Sequence, residues 1–599
     1  MTDALKFADV KPSKNADIIG IDLGTCNTCV GVWKNGMVDI VANAEGSIVT
    51  FVNTGKPEGS KIIDDKNGIP IVQIGSGKKA ELKYPSEITS HLLKYMKQTA
   101  EKALNTTVTK AVITIPAYFK QSHRDATKEA AKMAGLEVEE LLTEPAAAAY
   151  AFGMDQEANR DYKLLVFDMG AGTFDVTIVQ YQASKSKFVV KGIDGDLDLG
   201  GRDFDNVLCN YFEEEIRRVD SQFVFNKLIR QKLLVKCEKV KRALSSATVD
   251  RIPLSDFFPG TTAVLSITRE GFEKICKHLV EKSIEITDRL ITERLGGHKN
   301  QINKILIVGG STRIPLVQQC LRDFFNGKEL NQTVNPDEAV AYGATIRASQ
   351  LCEHTKEQAP KIYLIEATPL TLGVDSLGRI FQPMIMRNSQ IPKSKTMTFL
   401  TTDNDQKSMT FKIFEGERKI ADANRILTEF TIDGLPAGII ESVEVQLTMT
   451  LDKNGMLSLS ATCNERTVIK KIKYGEKMVP VGVANKMVEK SQQFNEQDGE
   501  QVKQLFSRYE FETAILNLRY RLDKLDVFNE AAKVVLDPIC RTNELWLVEN
   551  LDRDPSVYNR KLLEFLASIS LRSSDRDTQH WKYIFGPDPD KKQRKRKRD

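Results

Sequence analysis

Two stretches of the chain repeat one arrangement of reactive residue types. Residues 20–32, GIDLGTCNTCVGV, end an apolar run on Asp22, turn through Gly24 and Thr25, and return in a β-rich run. Residues 163–178, KLLVFDMGAGTFDVTI, repeat the pattern with Asp168, Gly170, Gly172 and Thr173. Glycines in such turns let backbone N–H groups converge on phosphate oxygens, which a Cβ would block. An Asp at each strand end can hold the water shell of a Mg²⁺ beside those phosphates. One such hairpin says little. Two of the same form suggest a duplicated fold that closes on a nucleotide from both sides. The first stretch also carries Cys26-x-x-Cys29. A zinc site would need a second ligand pair, and no other C-x-x-C or H-x-x-x-H occurs. A thioredoxin-like motif would open a helix, whereas Val30 to Trp33 reads as a return strand. The cysteines are therefore read as small residues filling a tight turn.

A third glycine element follows at 302–318, INKILIVGGSTRIPLVQ. It reads as a buried strand, a Gly309-Gly310 turn, and a helix start capped by Ser311 or Thr312. Gly200-Gly201 is a fourth such turn. Any one glycine pair alone is an ordinary turn; the ordered series is not.

The elements that carry these turns belong to a long chain. At 599 residues, two to four domains are expected. Hydrophobic content of 41% and charged content of 28% are those of an ordinary soluble protein. No signal-peptide-like apolar stretch opens the sequence, and no run of about 18 apolar residues exists to span a membrane. The formal charge is +4, but the last nine residues, KKQRKRKRD, hold seven basic residues and one acid. Without them 78 basic face 80 acidic side chains, so the body offers no strongly basic surface for specific nucleic-acid binding. The basic run reads as a solvated end, or as nuclear targeting or a loose polyanion contact. Nine dispersed cysteines suit a reducing compartment. The expected location is the cytoplasm, with the nucleus as the alternative.

The motifs together resemble the 70-kDa heat-shock chaperones. The resemblance is carried by IIGIDLGTCNTCVGV, VITIPAYFKQSHRDATKEAAKMAGL, LLTEPAAAAYAFG, VFDMGAGTFDVTIV, LGGRDFDN, CEKVKRALSS, ILIVGGSTRIP and FNGKELNQTVNPDEAVAYGA. It covers residues 18–475 well and the remainder more loosely. It implies a multidomain α/β + β + α chain. A disordered start (1–17) precedes an actin-like, two-lobed nucleotide-binding domain (18–357) and a linker (358–367). A β-sandwich peptide-binding domain (368–475), a helical lid (476–580) and a basic tail (581–599) follow.

Residue by residue, the resemblance implies roles. Gly24, Thr25, Cys26 and Asn27 face Gly170, Ala171, Gly172 and Thr173 as phosphate clamps, with Gly200 and Gly201 beside them. Asp22 and Asp168 resemble the carboxylates around hydrated Mg²⁺. Glu144, Asp168, Thr173 and Asp175 resemble the groups that orient the attacking water and the ions. Glu238, Lys241, Arg242 and Ser245, spaced i, i+3, i+4 and i+7, resemble an adenosine cradle on one helix face, a face that taken alone is simply charged and solvated. Gly309, Gly310, Ser311, Arg313, Ile314 and Asp337 would complete that pocket. Pro116 and Arg124 resemble an interlobe relay. The implied cofactors are ATP or ADP, Mg²⁺ and K⁺.

Some positions depart from the family pattern. The segment at 50–84 is short and lacks the family's lysine beside the γ-phosphate, a cation that would stabilise developing charge. Ala171 replaces a glycine, which puts any positive φ there in question. Cys26 replaces a threonine. Glu140 stands where an arginine contacts J-domain partners, a charge reversal that would weaken that contact.

Ile362, Leu364 and Ile365 resemble the hydrophobic interdomain linker, although a short apolar run is equally an edge strand. Beyond it, Met409, Phe411 and Ile413 alternate with Thr410, Lys412 and Phe414, and residues 443–461 read as a hairpin around Asn454-Gly455. Alternation alone gives a sealed β-sandwich. The resemblance implies a groove for an extended peptide, with Phe399, Met409 and Phe411 as the pocket and Leu377 and Thr402 as an arch. Ile515, Leu518, Leu522 and Leu525 share one helix face of the implied lid. The sequence ends in neither an acidic tail motif nor an ER-retrieval signal.

The expected function is an ATP-dependent chaperone that binds exposed hydrophobic segments of unfolded proteins. J-domain co-chaperones and nucleotide exchange factors are the implied partners. The alternatives are an ATP-binding holdase or regulator with little hydrolysis, and a small-molecule kinase of the actin-like fold.

Overall fold

The computed structural model describes residues 17–43, 47, 50–51, 61–64, 70–74, 81–117, 119, 121–154, 160–220, 223–257, 263–331, 335–376, 379–464, 466–471, 495–524, 530–551 and 553–570. The first sheet is built from β1 (Ile18–Leu23), β2 (Asn27–Lys34), β3 (Met37–Ile40) and β4 (Thr50–Phe51), with β8 and β9 below. A small antiparallel sheet of β5 (Lys61–Asp64), β6 (Pro70–Ile74) and β7 (Glu81–Lys83) precedes helix α1 (Pro85–Leu104). Then come β8 (Lys110–Ile115), α2 (Gln121–Met133), β9 (Glu137–Thr143) and α3 (Glu144–Met154). The second sheet starts from β10 (Tyr162–Met169), β11 (Phe174–Gln182) and β12 (Lys187–Asp196). Helices α4 (Gly201–Val219) and α5 (Lys227–Ala243), the hairpin β13 (Val249–Pro253) and β14 (Val264–Thr268), and α6 (Arg269–Leu295) follow. Strands β15 (Lys304–Val308) and β16 (Leu330–Asn331) flank α7 (Pro315–Phe324), and α8 (Ala339–Leu351) closes the region.

The two large sheets share one topology. The first runs β3-β2-β1-β8-β9 and the second β12-β11-β10-β15-β16. In each, the first three strands pair antiparallel and the last two pairings are parallel. Strand β10 is buried at nearly every position, which is why Leu164–Phe167 form a continuous apolar run rather than an alternating one. The two halves meet where α3 crosses α8, the former carrying Ala146 to Ala149 and the latter Ala341, Gly343, Ala344 and Ala348, all buried. A Cβ on Gly343 would lie 1.8 Å from the Ala147 carbonyl oxygen.

Strand β17 (Tyr363–Ile365) adds to the second sheet, parallel to β12 in the register Lys187↔Tyr363 to Val189↔Ile365. The apolar run 362–365 is thus an edge strand here, and Ile362 and Leu364 pack on the core around α3 and β12. Two four-stranded antiparallel sheets follow. One runs through β18 (Leu372–Ser376), β19 (Ile380–Ile385), β21 (Ser408–Glu415) and β22 (Arg425–Asp433). The other runs through β20 (Lys393–Leu400), β23 (Glu444–Leu451), β24 (Leu457–Cys463) and β25 (Arg466–Lys471). Both contribute to one apolar core, so they form a sandwich. Met409, Phe411 and Ile413 face that core, as alternation predicts. Phe414 departs from the expected polar face. It is buried beside a register shift between Ile413 and Phe414, in a small cluster with Phe381 and Ala421 that is separate from the sandwich core.

The last described part is helical: α9 (Asn495–Lys524), α10 (Glu530–Glu549) and α11 (Pro555–Ser570). Ile515, Leu518 and Leu522 sit in its core, and Leu525 lies outside the described residues. Leu377 also lies outside them.

The α3–α8 crossing has no space for a side chain, because the obstructing atom is backbone. Gly343→Ala should therefore lower the unfolding free energy by about 1–3 kcal/mol. A denaturant midpoint unchanged from the parent would refute that close approach.

Candidate functional site

The acidic residues predicted from sequence converge in the cleft between the two sheets. Asp22 is near the end of β1 and accepts a hydrogen bond from Thr114 Oγ1 at 3.2 Å. Asp168 and Asp175 stand opposite each other in the β10–β11 ladder. Glu144 opens α3, where the helix N-terminus favours a carboxylate. Burial raises the Asp22 carboxyl to about 7, offset in part by the Thr114 bond and reinforced by Asp337. Burial also raises Glu144 and Asp168 well above the ordinary range. The charges of Asp168, Asp22 and Asp175 add to the Glu144 shift, and those of Asp175 and Asp22 add to that of Asp168. Carboxylates whose charges add in this way lie close enough to interact, and a cation among them would favour their charged forms.

That arrangement suits a hydrated Mg²⁺. Among the described residues no group of three or more His, Cys, Asp or Glu side chains is arranged to ligate a metal directly. A water shell between the carboxylates and the ion removes the need for such a group.

The glycine loops face each other across the same cleft. A Cβ on Gly172 would lie 3.0 Å from Thr25 Cγ2. The second loop is braced from several sides. Gly170 N–H donates to the Thr173 carbonyl at 3.0 Å, and Gly201 N–H donates to the Gly170 carbonyl at 3.0 Å. Ser311 Oγ also donates to the Gly170 carbonyl, at 2.7 Å. A Cβ on Gly200 would lie 2.6 Å from the Gly172 nitrogen, so the Gly200 turn packs directly on the loop. Ala171 is not among the residues with positive φ, so its replacement of glycine costs no backbone strain. On the opposite side, a Cβ on Gly24 would lie 2.4 Å from the Asn27 carbonyl oxygen. Cys26 is half-exposed in that turn, and Asn27 starts β2. Burial, then the charges of Asp22, Glu338 and Asp337, push the neighbouring Cys29 thiol up, which opposes thiolate chemistry. All nine cysteines are free.

The expected adenosine residues are placed less uniformly. Glu238, Lys241 and Arg242 lie on α5, but Ser245 falls beyond the helix, whose C-cap is Leu244. The four therefore do not share one helix face; the helix stops before its fourth member. Lys241 points at α4, donating to the Gly201 carbonyl at 2.8 Å and pairing with Asp205 at 2.9 Å. Gly309 has a φ of +83° and lies against the Met169 backbone, so only glycine suits it. The helix after it is not capped by Ser311 or Thr312. A 3₁₀ turn at Gly310–Arg313 intervenes, Ile314 is the N-cap and Pro315 the first residue of α7. Ser311 is instead spent on Gly170, and Thr312 Oγ1 on the Gly309 carbonyl. Arg313 pairs with Asp337 at 2.7 Å.

A second set of contacts joins this region to the sandwich. Arg124 is almost fully buried and donates to the carbonyls of Asn454, at 3.0 Å, and Phe119. Pro116 is buried one turn away, its carbonyl accepting from Phe119 N–H. Asn454 Oδ1 accepts from Leu141 N–H at 3.2 Å. Glu366, which follows β17, accepts from Thr143 N–H at 2.9 Å, one residue before Glu144. On the other sheet, Arg387 reaches the Ile193 carbonyl and Asp194, and Asn388 Oδ1 accepts from Ile193 N–H. Asp194 is also held by Arg289 at 2.8 Å. Glu140, expected on a partner-facing surface, is nearly buried and pairs with Arg347 at 2.8 Å and with Lys453 of the sandwich at 3.7 Å. From sequence, Asn454 reads only as a turn former, and Glu366, Arg387 and Asn388 carry no local signal at all.

Phe399 and Phe411 meet edge to face at 5.2 Å, with Met409 buried in the same core. Thr402 is exposed in the adjoining loop, its N–H donating to Gln406 Oε1. Helix α9 is fixed to the sandwich by Asp498, which receives both arms of Arg418 at 2.7 and 2.6 Å.

A duplicated, glycine-lined acidic cleft is thus joined to a β-sandwich and a helical end. The description "Hsp70 protein" matches residues 18–56 and 52–571, and the break falls at the start of the shortened segment. The chain is 32% identical to Heat shock cognate 70 kDa protein 3 of Dictyostelium discoideum, over 92% of this chain and 96% of that protein. It is 33% identical to a Heat shock 70 kDa protein of Neurospora crassa, over 92% and 93%. Heat shock 70 kDa protein 2 of Paracoccidioides lutzii is 36% identical over 74% and 75%. The chain belongs to the Hsp70 family. Members of that family are ATPases that combine a two-lobed actin-like domain with a β-sandwich and a helical lid.

The Glu366 contact makes a pH prediction. Burial raises its carboxyl from 4.5 to about 7 despite the nearby Arg124 charge. Docking thus takes up a proton, and its cost grows between pH 4.5 and 7 and is complete above 7. Docking of the β17 segment should tighten about tenfold from pH 8 to pH 6. Hydrogen exchange at the amides of Tyr363, Leu364 and Ile365, corrected for intrinsic rates, reads this directly. Glu366→Gln should remove the pH dependence, and a variant that keeps it would refute the assignment.

Proposed function

We propose that this chain is an ATP-regulated chaperone that binds exposed hydrophobic peptide segments. The carrying observation is the direct bond from Glu366 to Thr143, beside Glu144. The segment leading into the sandwich is thereby tied to the acidic cleft, so a change at one end shifts the other. On this reading residues 18–357 form the nucleotide-binding domain and 358–367 the linker. Residues 368–475 form the peptide-binding sandwich, 476–580 the lid and 581–599 a basic tail. J-domain co-chaperones and exchange factors are the proposed partners and the cytoplasm, or the nucleus, the proposed location. No helix among the described residues is long and apolar enough to cross a membrane.

In the mechanism, the 24–27 and 170–173 loops offer backbone N–H groups to the phosphates. Asp22 and Asp168 would hold the water shell of Mg²⁺, which supplies charge neutralisation at the phosphates when bound. Glu144, Thr173 and Asp175 orient the attacking water, with Glu144 poised to hold its proton because burial and neighbours raise its basicity. Phe399, Met409 and Phe411 would line the peptide pocket, and α9, tied to the sandwich through Asp498, would cover it. One specific observation favours the second reading, a holdase with slow turnover: the segment at 50–84 lacks the family's lysine. Family membership removes the support for a small-molecule kinase.

Single-turnover hydrolysis of Mg·ATP, with and without a hydrophobic peptide, separates the two. Peptide-stimulated turnover supports the ATPase cycle, and tight ATP binding without turnover supports the holdase. Asp168→Asn should slow turnover by about 100-fold.

A further inference from the structure

Residues 360–362 lead into β17, and the ladder to the second sheet begins at Tyr363, whose N–H donates to the Ser186 carbonyl at 3.1 Å. Ahead of that point one side chain holds the segment. Gln350, near the end of α8, donates from Nε2 to the Pro360 carbonyl at 2.7 Å and to the Ile362 carbonyl at 2.8 Å. An amide nitrogen carries two hydrogens, and both are used. The amide oxygen accepts from Arg347 Nη1 at 3.0 Å. The orientation of the amide is therefore forced. Two carbonyls require the nitrogen on one side, and a guanidinium requires the oxygen on the other.

Arg347 is itself fixed. Its Nε and Nη2 meet the two oxygens of Glu140 at 2.9 and 2.8 Å, a bidentate pair. Glu140 stands on β9, opposite Val112 of β8. Glu140, Arg347, Gln350 and residues 360–362 thus form one hydrogen-bonded line from the first sheet to the segment docked on the second.

The other end of α8 lies at the acidic cleft. A Cβ on Gly20, two residues before Asp22, would lie 2.3 Å from the Thr345 nitrogen, so α8 rests directly on the strand that carries Asp22. Asp337, two residues before the helix begins, takes the Arg313 ion pair, and its carbonyl accepts from Cys29 Sγ at 3.7 Å. A helix of 13 residues is stiff, so a displacement at its start appears at its end.

We propose that Gln350 is the clamp that holds residues 360–365 on the second sheet, and that α8 links this clamp to the nucleotide cleft. The inference rests on the nucleotide-binding reading above and adds the residue through which the cleft reaches the sandwich. Moving the end of α8 by about 1 Å would stretch both carbonyl bonds out of hydrogen-bond range. The segment would then lose its first anchor without any change inside the ladder.

The test uses the full chain and two variants. Gln350→Glu keeps the shape and the Arg347 contact but turns an oxygen towards two carbonyls. Gln350→Leu removes both bonds and adds no charge. Hydrogen exchange is followed at one pH at the amides of Tyr363, Leu364 and Ile365, and at those of Ala344 to Ala348 in α8. Peptide dissociation constants are measured with ATP and with ADP. Exchange at the three segment amides should rise about tenfold in Gln350→Glu and about fivefold in Gln350→Leu, with α8 unchanged. The ratio of peptide affinities between the two nucleotides should fall about threefold or more. Unchanged exchange at the segment would overturn the clamp. Faster exchange in α8 as well would mean that Gln350 merely closes the helix, and would overturn it too. Faster exchange at the segment with the affinity ratio intact would overturn the link through α8. A parent chain whose peptide affinity ignores nucleotide would overturn the chaperone reading, and the exchange data would still decide the clamp.

Discussion

Four carboxylates gathered in one cleft, Asp168 and Asp175 buried and Asp22 and Glu144 half-buried, set the terms for the rest of this molecule. Asp22, Asp168 and Asp175 each raise a neighbour, and desolvation raises Asp22, Glu144 and Asp168 further, so a compensating cation would favour their charged forms. The surrounding architecture reads as a response. Asp168 and Asp175 are locked opposite each other by an antiparallel ladder that cannot shift by one residue without turning both side chains away. Glu144 is placed at a helix N-terminus, the one backbone feature that favours an anion. The loops between them expose backbone N–H groups instead of side chains. A site built this way is poor in positive charge and geometrically fixed, the condition under which a bound cation and a polyphosphate stabilise each other most.

The duplicated topology explains how two such loops come to face each other. Both sheets run antiparallel through three strands and then parallel through two, with the glycine hairpin at the same place in each. The sandwich does not float beside this body. It meets the first sheet through Arg124, Asn454 and Glu366, and the second through Arg387, Asn388 and β17. Every one of these contacts uses a backbone group or a buried charge, so each is strong when aligned and costly when half made. Alongside them Ala367 and Leu370 join the apolar core around α3 and β12, so polar and apolar contacts together hold the sandwich to this body.

The cleft was legible in the sequence because its chemistry is local. A strand, an acid and a glycine turn occupy about ten residues, and their recurrence could be seen without a fold. The sandwich was legible for the same reason, since alternation marks one buried face. Phe414 shows the limit: it is buried in a second small cluster with Phe381 and Ala421, which alternation along one strand does not announce. Ser245 and the cap before α7 were missed because helix ends depend on tertiary packing as much as on local preference. Ser311 has the residue type of a cap but is used to hold Gly170. The docking contacts were invisible for a plainer reason. Glu366 and Thr143 are far apart in the chain, and one of the partners is a backbone N–H that every residue except proline possesses.

The crossing of α3 and α8 has a mechanical meaning. Backbone meets backbone there at Gly343 and Ala147, framed largely by the methyl groups of neighbouring alanines, so little would have to repack if the two halves turned about that point. The crossing has the form of a pivot. Glu144 sits at the end of one arm, and Arg347, which grips Glu140, lies on the other. A small rotation at the pivot becomes a larger displacement at the cleft mouth, in proportion to the length of the arm. The same rotation tilts the strand ends from which Glu366 hangs. The molecule thus has the geometry of a pair of tongs, in which the smallest residues, at the hinge pin, decide how far the jaws can travel.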